Sequence, residues 1–194
     1  MKKEKISPQI MTVITVGVSA GLLVICSWIG IPAIGPFVPF TLQTFAIFLI
    51  AGLFSVKESM MAVTVYIALG IIGIPVFSGF KSGISVILGS TGGYIVGFVL
   101  AVLIIGLFKK IKSGSVFVMV SGMIVGLMVC YIFGTIWFYF VYMQNNDPMG
   151  ILKILSLCVF PFIIPDILKM TVAVVLVEKL SLPLSKIGFA EQKS

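Results

Sequence analysis

From residue 10 to about 180 this chain is a succession of long apolar runs, separated by short stretches that carry its glycine, proline, lysine and other polar residues. Runs of that kind leave no polar face for water. They match the hydrocarbon core of a bilayer, about 30 Å thick, which a helix of about 20 residues crosses. Backbone N–H and C=O groups in lipid must be paired within the structure, so only helices and closed barrels span it. Barrel strands alternate apolar and polar residues, and these runs do not alternate, so helices are expected. The composition agrees: 60% of residues are hydrophobic and 10% charged, against about one quarter charged in soluble domains.

The breaks between runs give an all-α integral membrane protein with six transmembrane helices, at roughly 10–30, 39–55, 58–74, 89–108, 114–142 and 151–180, in one membrane domain covering 1–194. The lysines orient it. With both termini in the cytoplasm (N-in/C-in), Lys2, Lys3, Lys5, Lys57, Lys109, Lys110, Lys112, Lys179, Lys186 and Lys193 lie inside, Lys81 and Lys153 lie outside, and Lys169 falls within a span. This is the bias that cytoplasmic loops carry. The net charge of +7 is thus read as a topology signal, and no nucleic-acid partner is expected. "MKKEKI" followed by an apolar run resembles a secretory leader, but five further apolar segments follow, so a retained first helix is expected.

The three cysteines, Cys26, Cys130 and Cys158, sit inside apolar segments at spacings that suit neither a metal site nor a redox pair, and are expected to pack as small residues. The chain has no histidine, so it lacks the commonest general base and metal ligand. No metal and no cofactor are expected. Small residues recur four apart in three places: Gly17 and Gly21; Gly89, Gly93, Gly97 and Ala101; Gly122, Gly126, Cys130 and Gly134. Such stripes let helices approach closely in lipid. Internal packing is expected for the second and third. The first lies on the terminal, more peripheral helix, where a partner interface through Gly17 and Gly21 stands beside internal packing.

Two outer loops are too apolar for solvated loops: "IGIPAIGPFVPF" (29–40) and "GIPVFSGFKSGISVILGSTGG" (73–93). Irregular backbone at membrane depth is tolerated only where protein covers it or it lines a cavity, so these loops are expected to fold over a ligand rather than merely pack down on the helices.

Asp166 and Lys169 lie inside the last apolar run. Each ionised residue costs about 2.5–3.5 kcal/mol at the helix centre. Three apart, they share a helix face and can pair, but a buried pair rarely gains on apolar residues of equal size, so they are functional candidates. Asp166 stands thirteen residues outward of Lys179, about 20 Å. Pro161 and Pro165 suggest a helix broken there, with Pro165 at a first helical position and Asp166 beside the positive end of the dipole. An acceptor beside a donor suits a ligand with the reverse pattern, such as an amide or urea. A metal ion would be repelled by Lys169. Gln43, flanked by Thr41 and Thr44, is either a second ligand group or a helix–helix hydrogen bond. Phe37, Phe77, Phe80 and Tyr94 can wall an apolar pocket. "GSTGGY" lacks the lysine of a nucleotide loop, but its N–H groups at a helix start can hold an anion. No catalytic motif stands out, so the chain is not expected to be an enzyme, and it has no means of hydrolysing ATP itself.

"VPFTLQTFAIFLIAGL" (38–53), "LGIIGIPVFSG" (69–79), "GSTGGYIVGF" (89–98) and "PDILKM" (165–170), in this order, resemble BioY, the biotin-specific S component of energy-coupling factor (ECF) transporters. The resemblance runs from about 10 to 180. One departure is Ser90, where the family usually has proline. The resemblance implies a six-helix membrane subunit of the cell membrane that binds biotin, with a transmembrane coupling (T) subunit and two ATPase subunits as partners. It also implies that Asp166 and Lys169 bind biotin. Asp166 then accepts a urea N–H and Lys169 donates to the urea oxygen, while the valerate carboxylate meets the amides around Thr91 and Gly92, or Lys81; an alternative gives the carboxylate to Lys169. Rival readings are a self-sufficient transporter, proton-coupled through Asp166, and a membrane enzyme, for which no nucleophile or metal cluster is found.

Overall fold

The computed structural model describes residues 7–31, 38–112, 114–144, 149–187 and 189. Eight α-helices are found there: α1 (Pro8–Trp28), α2 (Gln43–Leu53), α3 (Val56–Ile71), α4 (Ile84–Leu88), α5 (Gly92–Ile111), α6 (Val116–Met143), α7 (Ile151–Cys158) and α8 (Phe160–Lys186). A single 3-10 turn spans Ser78–Phe80, and a two-residue antiparallel ladder pairs β1 (Gly30–Ile31) with β2 (Phe40–Thr41).

Local chemistry sets several boundaries. Ser7 accepts from the Ile10 N–H and Pro8 takes the first helical position, where its missing N–H costs nothing. Ser55 and Glu58 form a reciprocal capping box at the start of α3. Lys109 and Lys110 occupy the last turn of α5, where cations suit the dipole. The Lys109 ammonium also donates to the carbonyls of Ala51 (3.0 Å) and Phe54 (2.9 Å), tying the end of α5 to the end of α2.

Four segments are long and apolar enough to cross a membrane: Pro8–Trp28, Gly92–Ile111, Val116–Met143 and Ile151–Lys186. Large side chains such as Val13, Phe117, Ile164 and Leu168 are exposed on them, as lipid contact requires and as water does not tolerate over wide patches. The expected segments 39–55 and 58–74 appear as the shorter α2 and α3. The 11 residues of α2 cover about 16 Å, half the hydrocarbon depth, and most of them are buried by protein. Spans of full length are therefore fewer than the apolar runs suggest.

α5 packs most extensively on α6, α8 on α2, and α1 on α3. Gly93, Gly97 and Ala101 of the second stripe meet the third stripe, as expected for internal packing, but Gly89 lies before α5 and faces the Ser85 and Val86 carbonyls of its own turn. A Cβ on Gly134 would come within 2.4 Å of the Tyr94 ring, and one on Gly97 within 3.0 Å of the Cys130 sulfur. Gly17 and Gly21 differ: a Cβ on either would meet nothing within 4 Å. The three cysteines are buried and unbridged.

One expectation needs correcting. The last run breaks at Val159 (φ −129°, ψ −59°), not at Pro165, and α8 runs through Pro165 and Pro183. Pro161 takes the second position of α8, where no N–H partner is lost. Asp166 is thus in the second turn, not at a helix start, and the dipole argument for it falls. The segment 32–37, with Phe37, lies outside the described residues.

Candidate functional site

The loop after α3, the head of α2, α5, α6 and the first turns of α8 enclose a cavity of about 540 Å³, within the usual range for small-molecule sites. Of the residues singled out from sequence, Gln43, Phe77, Lys81, Thr91, Tyr94, Asp166 and Lys169 line it. Phe80 does not: it is 63% exposed and stacks on Trp28 with ring centroids 5.0 Å apart. Gly92 does not either; its N–H donates to the Gly89 carbonyl at 3.1 Å, so that amide closes a turn. The 73–93 loop supplies much of the wall, through Phe77, Ser78, Lys81, Ser85 and Ser90 among others.

Asp166 is 1% and Lys169 8% exposed. Their salt bridge is 2.8 Å long. The ammonium also donates to the Thr41 carbonyl (2.7 Å) and the Thr44 hydroxyl (3.2 Å), and it lies 4.4 Å from the centre of the Phe40 ring, a cation–π contact. An ammonium has three N–H groups, and here each has an acceptor. On the acid, Oδ1 accepts from Lys169 and from the Thr44 hydroxyl at 2.7 Å, and Oδ2 accepts from the Tyr131 hydroxyl. A carboxylate offers roughly four lone-pair sites, so one is left for a ligand. The buried charges are therefore met mainly by protein. An incoming N–H can join Asp166 without displacing anything, whereas a ligand acceptor reaches Lys169 only by replacing Thr41 or Thr44.

Beside the pair, Gln43 is held at both ends. Its Oε1 accepts from the Thr41 hydroxyl (2.9 Å) and its Nε2 donates to the Tyr66 hydroxyl (2.9 Å). Thr41 also receives the backbone N–H of Gln43, the first residue of α2, at 3.3 Å, while its carbonyl accepts from Lys169. Tyr94, from α5, meets the Thr135 hydroxyl (3.0 Å) and donates to the Cys158 carbonyl at the α7–α8 break (3.4 Å). Among the described residues no group of histidine, cysteine or acidic side chains could hold a metal ion.

Sequence reasoning missed Tyr131, Tyr66 and Phe162, all in the cavity wall. Tyr131 carried a faint signal, a hydroxyl in a 28-residue apolar helix. Its partner is 35 residues away, which no local spacing reveals. What the arrangement can do is hold a small, largely apolar molecule that presents an N–H donor to Asp166 and an anion to Lys81.

The BioY family model matches residues 1–186. A protein of Thermotoga maritima named biotin transporter BioY is 38% identical over 86% of this chain and 94% of its own length. One of Pyrococcus horikoshii, named probable biotin transporter BioY, is 40% identical over 76% of this chain and 83% of its own. Among solved structures, the S-component for biotin from an ECF-type ABC transporter superimposes with a TM-score of 0.78 at 27% identity, covering 90% of this chain and 94% of that one. A family match along nearly the whole length, with relatives of this identity and coverage, places the chain beyond general likeness: it belongs to the BioY family.

Proposed function

We propose that this chain is the biotin-binding S component of an ECF-type transporter and works with a coupling subunit and two ATPase subunits. The observation that carries the reading is the buried Asp166–Lys169 pair facing a cavity of about 540 Å³, in a chain whose relatives are named biotin transporters. Biotin's fused ring presents urea N–H groups beside a C=O, on an apolar body. One N–H takes the remaining lone pair of Asp166. The urea oxygen reaches Lys169 by replacing the Thr44 hydroxyl, which still has Asp166 to donate to. Tyr94, Phe77 and Phe162 enclose the apolar body, and the carboxylate meets Lys81.

On this reading α1, α2, α3, α5, α6 and the α7–α8 segment are six membrane-crossing segments with both termini in the cytoplasm. The lysine distribution supports that orientation. Lys109 reaches the Ala51 and Phe54 carbonyls just before Lys57, so several lysines gather at the end opposite the cavity. The unobstructed Gly17–Gly21 face of α1 suits the coupling subunit. Mass spectrometry of gently extracted protein, followed by titration of the emptied protein with biotin, tests the proposal. Co-purified biotin and saturable rebinding are expected; absence of both would refute it. Uptake into vesicles that holds under a pH gradient without ATPase subunits would instead favour a proton-coupled transporter.

A further inference from the structure

We infer that Phe80 and Trp28 form an aromatic clamp that aims Lys81 into the cavity to receive the ligand's anionic end; the inference rests on the biotin reading of that cavity. Among the described residues Phe80 is the one non-glycine residue with positive φ, +58°. A bulky residue in that region is an outlier, and it persists only where its surroundings over-determine it. Core packing does not account for it, because the ring is 63% exposed. Gly79, beside it at φ +69°, shows the residue type that holds such backbone without strain.

What holds Phe80 is the outer end of α1. Its ring stacks on Trp28 with the planes 30° apart, and Trp28 is itself fixed by donating its indole N–H to the Pro75 carbonyl at 2.9 Å. The neighbouring Ser27 hydroxyl donates to the Val76 carbonyl. On the inner side, Phe77 is buried edge-on against Tyr66, with centroids 5.6 Å apart. The loop between Phe77 and Phe80 closes through the Phe77 N–H and the Lys81 carbonyl, 3.0 Å apart. The two left-handed residues reverse the chain, so Phe80 lies outside on Trp28 while Lys81, extended at φ −80°, ψ 158°, lines the cavity. Among the described residues the Lys81 ammonium has no hydrogen-bond or ion-pair partner. The Lys81 residue is exposed, and Ser78 and Ser85 line the same cavity. An unpaired cation there suits a carboxylate, and the clamp makes Phe80 a positioning residue for it.

The test is titration of the purified full chain with biotin and with neutral biotin amide, for the wild type, Lys81→Ala, Phe80→Ala, Phe80→Tyr and the Phe80→Ala/Lys81→Ala double variant. Lys81→Ala and Phe80→Ala are each expected to weaken biotin about tenfold and the amide far less, as loss of one charge contact would. The double variant should be no weaker than Lys81→Ala, and Phe80→Tyr, which keeps the ring, should match the wild type. Equal losses for both ligands in Phe80→Ala, or additive losses in the double variant, would overturn the clamp. Unchanged biotin binding in Lys81→Ala would overturn it too, while leaving the biotin reading intact. A wild type that binds neither ligand would remove the biotin reading itself. The clamp would then rest on amide hydrogen exchange across 76–83 without ligand, where Phe80→Ala should exchange faster and an unchanged rate would overturn it.

Discussion

Removing Lys169 alone leaves a buried carboxylate facing Thr44 and Tyr131 with its countercharge gone. Lys169→Met is therefore expected to destabilise the protein by about 3–5 kcal/mol, the cost of stranding one partner of a buried pair. Replacing both residues, Asp166→Leu with Lys169→Met, removes the desolvation cost altogether and should restore or exceed wild-type stability, yet abolish biotin binding. Thermal unfolding in detergent and a biotin titration separate the two effects. A double variant that bound biotin at full strength would reduce the pair to a structural role. At this scale the pairing of Asp166 with Lys169 was legible, because residues three apart on a helix share a face. The saturation of the ammonium by Thr41 and Thr44 was not. It depends on the head of α2 arriving beside α8, and the bonds cross more than 120 residues of chain.

The seam between α5 and α6 is the element most sensitive to added volume. Gly134→Ala places a methyl group within 2.4 Å of the Tyr94 ring, so either the helices part or Tyr94 turns. A loss of about 1–3 kcal/mol is expected from overpacking, with weaker biotin binding because Tyr94 lines the cavity. Gly17→Ala on α1 meets no atom within 4 Å and should instead gain up to about 1 kcal/mol from helix propensity. Melting temperatures of the two variants, measured in the same detergent, check the contrast. The glycine stripes on α5 and α6 could be read from spacing, since four-residue steps stay on one helix face. The break in the last run could not be placed the same way. Two prolines competed for it, and the break falls ahead of both, at Val159, with Pro161 at the second position of α8, where its missing N–H has no partner to lose.

For the whole molecule, the cavity occupies one end. Beyond the Asp166–Lys169 pair, Met170, Ala173 and Val177 of α8 are buried in the same core as α2. With the far end of the pair packed in this way, and no ATP-binding motif in the chain, transport needs a partner on the proposed reading. Replacing Gly17 and Gly21 with leucine should abolish co-purification with the coupling subunit while leaving biotin affinity within about twofold of wild type, because neither glycine touches the cavity. Loss of biotin binding as well would assign that face to internal packing. The amino-acid order by itself determined that the chain is a helical membrane protein, which residues are charged inside it, and which helix faces are small enough to pack closely. These follow from local rules of length, periodicity and desolvation cost. The tertiary structure alone decided that α2 is a half-length helix sheltered by protein, that Tyr131 bonds Asp166, and that Phe80 stacks on Trp28 while Lys81 beside it lines the cavity. Each of these depends on which distant segment arrives alongside, and backbone packing, not sequence spacing, sets that arrival.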